Sequence, residues 1–93
     1  MTFHEAMLAL YKRIKEETGY NPKAFLSMVV VDGGWQTARR LLNSATPQPG
    51  FERLWAMGRS DLTVEALVLQ PQWRDMFTEA ELKTAQDRLT PTP

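Results

Sequence analysis

The chain has 93 residues, of which 43% are hydrophobic and 24% charged, a composition typical of a folded globular domain rather than a disordered segment. Eleven basic residues balance eleven acidic ones, so the chain lacks the net positive charge of proteins that bind nucleic acid mainly by neutralising phosphates. With no cysteine, disulfides, thiolate metal sites and cysteine nucleophiles are excluded, and a reducing compartment is favoured.

The first predicted helix has recognisable boundaries. Thr2 and Glu5 have the spacing of a capping box, and apolar residues then recur on one helical face for about four turns. The helix should end near Thr18, because Gly19 can adopt the left-handed conformation that closes helices. The single histidine, His4, falls in the first turn, where we expect it to face solvent rather than act as a general base.

Two further helices are predicted on either side of a glycine pair. Asn21 as N-cap and Pro22 as first helical residue begin the second helix, which we expect to bury most of residues 24–31. The pair Gly33–Gly34 would end this helix and let the third, residues 35–42, begin in close packing. A phosphate-binding loop would instead need more glycines between a strand and a helix. Four residues of the third helix should face inward: Trp35, Ala38, Leu41 and Leu42.

The rest of the chain predicts shorter elements. Residues 43–50, NSATPQPG, have the composition of an exposed loop. A short helix follows over residues 51–57, and Thr63 is the expected N-cap of the next one. A second capping box, TEAE at 78–81, begins a last helix that should run to about Leu89.

These segments predict an all-α fold, a compact bundle of six or seven short helices. Residues 1–89 should form one domain around one core, followed by a disordered tail at 90–93. The longest apolar run, FLSMVVV, is too short to cross a bilayer, and the N-terminus lacks the basic residues of a signal peptide. We therefore expect a cytoplasmic protein without a membrane partner.

Residues 22–43 are the best candidate for nucleic-acid contact, because a helix, a short glycine-containing turn and a second helix form a helix-turn-helix-like unit. Four polar residues of this unit are expected to face outward, within reach of bases or phosphates: Gln36, Thr37, Arg39 and Arg40. Lys12, Arg13 or Arg53 would add phosphate contacts. Alternatively, the arginine pair lies on a solvated face, where it interacts favourably with the C-terminal helix dipole.

Three tryptophans, Trp35, Trp55 and Trp73, are a high number for this length. Most of each ring should be core, but the indole N–H groups need partners, so we expect the rings at core edges where grooves form. The five methionines add adaptable apolar surface. This combination indicates a groove that binds another protein.

Arg59 and Asp61 flank the start of a helix, and Glu65 follows one turn later. We expect Arg59 to be held between these two acids as a structural clamp, because a guanidinium can pair bidentately. A binding role for these residues and catalysis by Asp61 and Glu65 are the alternatives. The chain offers no second histidine or cysteine as a catalytic partner, so we expect no enzyme, no cofactor and no metal.

Five segments together resemble a small bacterial all-helical domain of unknown function: FHEAMLALYKRIKEETGYNPKAFLSMV, GGWQTARRLL, GFERLW, RSDLTVEALVL and FTEAELKTAQDRL. The resemblance covers residues 3–89 and implies a complete single domain. That family occurs as stand-alone proteins and beside or attached to nuclease-type and mobile-element genes. It has no established activity, so no catalytic residue is implied.

The sequence therefore favours a non-enzymatic protein-interaction module, and the resemblance suggests an accessory role in nucleic-acid processing or phage defence. A weak DNA- or RNA-binding domain is the alternative. The sequence makes no prediction of the oligomeric state.

Overall fold

The computed structural model describes residues 1–90, which form six α-helices and two 3₁₀ turns. The helices are α1 (Phe3–Thr18), α2 (Lys23–Asp32), α3 (Gly34–Leu42), α4 (Pro49–Ala56), α5 (Val64–Val68) and α6 (Glu79–Leu89). The 3₁₀ turns, Ser60–Leu62 and Arg74–Met76, precede α5 and α6. Residues 1–90 contain no strand, so the predicted all-α class and the number of helices are confirmed.

The helices pack around one core. Helix α3 contacts α1, α2, α5 and α6, while α1 also packs on α2 and on the first 3₁₀ turn, which α4 contacts too. The radius of gyration is 12.2 Å, close to the value of about 13 Å for a folded chain of 100 residues. The most completely buried apolar side chains come from six elements. They are Met7 of α1, Val29 of α2, Ala38 of α3, Leu62 of the first 3₁₀ turn, Val68 of α5 and Ala85 of α6.

Three of the predicted N-caps are present, at the starts of α1, α5 and α6. In α1 the Thr2 hydroxyl accepts the Glu5 N–H (3.1 Å) and the Glu5 carboxylate accepts the Thr2 N–H (2.8 Å), while Gly19 has a φ of 77°. The second capping box, at residues 78–81, has the same two hydrogen bonds. Thr63 caps α5 by accepting the Ala66 N–H through its hydroxyl (3.1 Å). Local side-chain chemistry therefore fixes where these three helices begin.

The N-cap of α2 is not the residue predicted. Helix α2 begins at Lys23, Pro22 occupies the N-cap position, and no side chain caps the helix. The Asn21 side chain instead accepts a hydrogen bond from the Tyr11 hydroxyl (Oδ1 to Oη, 2.7 Å). The prediction was wrong because a tertiary partner on α1 uses the oxygen that a cap would need.

Helix α2 also buries less than expected. Phe25 and Val29, four residues apart, are buried, whereas Val30 and Val31 are 67% and 77% exposed. Because α2 packs on α1 and α3 with one face, Val30 and Val31 point away from both helices. The expectation that residues 24–31 are largely buried is wrong.

Helix α4 starts two residues earlier than predicted, at Pro49, since proline suits the first turn of a helix. Phe51 and Leu54 face the core, but Trp55 is 38% exposed. The indole of Trp55 stacks on Phe51, with ring centroids 5.7 Å apart. Helix α4 therefore holds one tryptophan at the surface.

The last helix, α6, ends at Leu89 as predicted. Thr90, the first residue of the predicted tail, donates a hydrogen bond from its hydroxyl to the Gln86 carbonyl (2.8 Å). The other tail residues, 91–93, lie outside the described residues.

Candidate functional site

The junction between α2 and α3 consists of two glycines with different roles. Gly33 has φ 89° and ψ 156°, a backbone region that is essentially restricted to glycine, and its N–H donates to the Val29 carbonyl (2.9 Å). A Cβ on Gly34 would lie 2.7 Å from the Cα of His4 and 3.2 Å from the Cγ of Met7. Gly33 therefore provides the turn, and Gly34 lets the start of α3 pack directly on the backbone of α1.

His4 reinforces this junction. It is exposed, as expected, but its Nδ1 accepts the backbone N–H of Gly34 (3.0 Å). The N-cap of α3 is a glycine without a side chain, so His4 satisfies one of the amides that are free at a helix start. The sequence did not indicate this contact, because the two residues lie 30 positions apart.

Trp35, the next residue, is fixed at the surface instead of facing inward as predicted. Its indole N–H donates to the backbone carbonyl of Met76 (2.9 Å), and the Arg39 guanidinium lies 5.0 Å from the ring centroid. The residue is 39% exposed, because the carbonyl that accepts its indole N–H lies in the surface turn that precedes α6. Trp35 is therefore an exposed aromatic ring with a defined orientation.

Trp73 lies on the same side of the molecule. Its ring packs edge to face on Phe3 (centroids 5.5 Å apart), and Phe3 packs in the same way on Phe77 (5.3 Å). The Met76 N–H donates to the Trp73 carbonyl, and the Met76 carbonyl accepts the indole N–H of Trp35. The backbone of Met76 therefore connects the two tryptophans. We call Trp35, Trp73 and Met76 the tryptophan surface. Met76 is exposed, whereas Phe3 and Phe77, which lie beneath Trp73, are buried.

Trp55 does not belong to this surface. It borders a shallow pocket with Arg88 and Thr90, at the C-terminal end of α6, whereas Trp35 contacts the segment before the N-terminal end of α6. A helix of 11 residues is about 16 Å long. Two of the three tryptophans predicted to line a groove, Trp35 and Trp73, are therefore linked through the Met76 backbone, and Trp55 lies elsewhere.

The outward edge of α3 carries fewer free polar groups than predicted. Gln36 is exposed, but Thr37 is completely buried, and within residues 1–90 its hydroxyl has no hydrogen-bond partner. Thr37 belongs to the buried stripe of α3, which consists of Gly34, Thr37, Ala38, Leu41 and Leu42. The expectation that Thr37 faces outward is wrong, because this stripe has helical spacing and includes position 37.

Both arginines of α3 have carboxylate partners. Arg39 pairs with Glu81 (Nε to Oε2, 2.8 Å) and Arg40 pairs with Asp32 (Nη1 to Oδ2, 3.1 Å). In addition, only Gly33 separates α2 from α3, whereas the turn of a helix-turn-helix unit has three or four residues. The geometry at residues 22–43 therefore departs from that of a DNA-reading unit.

The other cations considered for phosphate contact are also engaged. Lys12 lies 4.0 Å from the Glu16 carboxylate, and Arg13 pairs with Glu17 (2.8 Å). The Arg53 guanidinium sits 4.4 Å from the centroid of the Tyr20 ring. Each of these three side chains therefore has a partner of its own within the chain.

Arg59 is held between two acids, but one of them differs from the prediction. It binds Asp61 through Nε and Nη2, both at 3.0 Å, and Glu17 of α1 through Nη2 at 2.6 Å. The Arg59 guanidinium lowers the pKa of Asp61, and hydrogen bonds from Arg13 and Arg59 lower the pKa of Glu17. The clamp therefore ties the first 3₁₀ turn to α1.

Glu65 was expected in that clamp, but it lies in the interior. Its side chain is completely buried and accepts a hydrogen bond from Arg88 of α6 (Oε2 to Nη1, 3.0 Å). Arg88 also donates to the carbonyls of Leu41 (2.9 Å) and Ser44 (2.8 Å). The assignment of Glu65 to the Arg59 clamp is wrong, since α5 turns this carboxylate toward the core and α6 supplies its cation.

Glu81 has a second role besides its place in the capping box. Its Oε2 accepts hydrogen bonds from Arg39 and Asn43, both at 2.8 Å, and its Oε1 accepts the Thr78 N–H at 2.9 Å. Burial by itself raises the pKa of this carboxyl, but the hydrogen bonds from Thr78, Arg39 and Asn43 outweigh it and lower the pKa to about 2. Glu81 therefore remains ionised and joins α6 to the end of α3.

No protein-family model, curated protein or solved structure matches the chain. Over residues 1–90, no group of three or more acidic or histidine side chains is arranged to hold a metal ion. In the same part of the chain, none of the helices has both the length and the apolar character required to cross a bilayer.

Proposed function

We propose that the protein is a non-enzymatic interaction module that binds another protein through the tryptophan surface. The observation that carries this proposal is Trp35, which is 39% exposed although its indole is fixed by the hydrogen bond to the Met76 carbonyl. A ring held in one orientation loses little conformational freedom on binding, and tryptophan is enriched among the residues that dominate binding energy.

The neighbours of Trp35 fit this role. Met76 is exposed beside it, and a thioether side chain adapts its shape to a partner. Arg39 covers part of the ring, but its charge is compensated by Glu81, so it adds hydrocarbon and a polar rim. Such a surface suits a partner that offers an apolar side chain surrounded by polar groups.

Binding of DNA or RNA has less support from the geometry. Arg39 and Arg40 are each paired with a carboxylate, and Thr37 is buried. Electrostatic binding to nucleic acid depends on cations that are available to phosphates. The proposed accessory role in nucleic-acid processing or phage defence rests on the family resemblance. The proposed cytoplasmic location rests on the absence of cysteine from the sequence.

Affinity capture from the cells that naturally express the protein tests the proposed function. We expect a bound protein that is lost with Trp35→Ser and retained with Trp55→Ser. The control is matched, because Trp55 is 38% exposed and lies at the other end of α6.

Thermal unfolding of both variants establishes that each is folded under the capture conditions. Capture of the same protein by wild type and Trp35→Ser alike, or capture that depends on Trp55, would contradict the proposal.

A further inference from the structure

A cavity of about 150 Å³ lies between α1, the start of α2, α4 and the start of α5. Its walls are mainly hydrocarbon and include Leu10, Ile14, Phe25, Phe51, Leu54 and Val64. None of the residues that line it carries a charge. The cavity is separate from the tryptophan surface, with which it shares no residue.

The size and lining of this cavity indicate the kind of molecule that fits it. A cavity of about 150 Å³ with leucine, isoleucine and phenylalanine in its walls has room for a benzene-sized molecule. Inside the cavity a charged group would lose its hydration without gaining an ionic partner among the residues that line it. The lining therefore selects a neutral and mainly apolar ligand.

Gly50 keeps one side of the cavity open without a structural need to be glycine. It lies in the first turn of α4, and its φ is not positive, unlike those of Gly19, Gly33 and Gly58. A Cβ at this position would meet the Tyr20 hydroxyl at 3.5 Å, which is an ordinary contact distance. The absent side chain of Gly50 leaves space beside Tyr20 and Gln48 at the edge of the cavity.

Two polar groups lie where this side chain is missing. The nearest atoms to a Cβ on Gly50 are those of Tyr20 and the Gln48 side chain, and both residues line the cavity and are half-buried. The Arg53 guanidinium over the Tyr20 ring, at 4.4 Å from its centroid, helps to hold this ring in place. A phenol hydroxyl and an amide at the mouth can hydrogen-bond one polar atom of a ligand.

We propose that this cavity is a binding site for a small neutral molecule with an apolar ring or branched aliphatic body and one polar atom. The body lies against Leu10, Ile14 and Leu54, and the polar atom lies at the mouth beside Tyr20 and Gln48. Binding at this site is independent of a protein partner at the tryptophan surface.

Methyl-detected NMR with phenol as the probe tests the site. We expect saturable shifts of the Ile14, Leu54 and Val64 methyl signals with phenol and none with benzylammonium. The variant Gly50→Ala should retain these shifts, whereas Gly50→Leu should reduce the phenol affinity at least tenfold. Ala24→Leu fills the cavity from the side of α2 and should have the same effect as Gly50→Leu.

Two results would overturn the proposal. One is an absence of saturable shifts at the cavity methyls, including the case where phenol shifts only exposed groups such as Val30 and Val31. The other is unchanged phenol affinity in both leucine variants with the spectrum of a folded protein. Ala24 is exposed, so Ala24→Leu remains informative even if Gly50→Leu disturbs the start of α4.

Discussion

Two adjacent glycines have different physical reasons to be glycine. Position 33 requires glycine because of its backbone angles. Position 34 requires glycine because a Cβ there would lie only 2.7 Å from the Cα of His4. The sequence predicted that this pair joins two helices in close packing. It did not reveal the reason for each glycine, because the backbone that Gly34 approaches belongs to another helix.

The variant Gly34→Ala should destabilise the fold by about 1–3 kcal/mol, since an extra methyl group would press on the backbone of α1. Urea unfolding of the variant and the wild type measures this difference. Gly50→Ala is the matched control, because its new methyl has ordinary contacts, and it should leave stability unchanged or raise it. Equal destabilisation by both changes would refute the close approach at Gly34.

Glu81 makes stability depend on pH. Its pKa is about 2 in the folded protein and near 4.5 in the unfolded chain, so its stabilising effect is complete above pH 4.5 and disappears as the pH falls to 2. We expect Glu81→Gln to cost on the order of 2 kcal/mol at pH 7 and almost nothing near pH 2. Denaturant unfolding from pH 7 to 2 measures the difference between variant and wild type.

Glu79→Gln is the control for this measurement, because Glu79 is exposed in the same turn of α6. It should change stability by less than about 1 kcal/mol, as expected for a carboxylate near a helix start. A difference between Glu81→Gln and wild type that stays constant over the whole pH range would contradict the lowered pKa.

Residue-level features were predictable where the partners are near in the sequence. Thr2 and Glu5 are three residues apart, and so are Thr78 and Glu81, so local spacing predicted both capping boxes. The pair of Arg39 and Glu81 spans 42 residues, and no local pattern indicates it. Thr37 had an available signal, since Gly34, Ala38, Leu41 and Leu42 define a stripe that also includes position 37.

At the scale of elements, α5 is too short to be stable by itself and depends on contacts with its neighbours. It has five residues and packs mainly on α6. Glu65 of α5 binds Arg88 of α6, and Arg88 also binds the last turn of α3 and the loop after it through the Leu41 and Ser44 carbonyls. This buried ion pair therefore holds three helices together.

Arg88→Ala should destabilise the fold by about 3–5 kcal/mol, because it leaves the Glu65 carboxylate buried without its cation. The double variant Glu65→Leu with Arg88→Leu should cost less, since no buried charge remains. Urea unfolding of the single and double variants measures both effects.

Lys83→Ala is the control, because the pair of Lys83 and Asp87 on the same helix is exposed and should contribute less than about 1 kcal/mol. If Arg88→Ala were as mild as Lys83→Ala, the ion pair would not support α5.

The sequence predicted where the helices begin and end more accurately than it predicted which of their residues are buried. The ends of α1 and α6 were predicted because caps and glycine act within one turn. The burial of α2 was overestimated because its apolar run contains Val30 and Val31, and only the position of α1 and α3 decides which valines face the core.

At the scale of the whole molecule, the all-α class followed from helical periodicity, but the positions of the tryptophans did not. Trp35 and Trp73 are linked through the Met76 backbone, whereas Trp55 lies beside the other end of α6. The packing of α3 against α6 determines this arrangement, and the sequence has no local signal for it. The number of tryptophans suggested a groove lined by all three, but the tryptophan surface contains only Trp35 and Trp73.

Photo-cross-linking in the cells that naturally express the protein tests the tryptophan surface most directly. A cross-linking amino acid replaces the exposed residue Gln36, next to Trp35, or as a control the exposed residue Glu52 of α4. We expect position 36 to form an adduct with another protein that disappears when Trp35→Ser is added, and position 52 to form none. An adduct at position 36 that survives Trp35→Ser, or no adduct at that position, would contradict a partner-binding role for this surface.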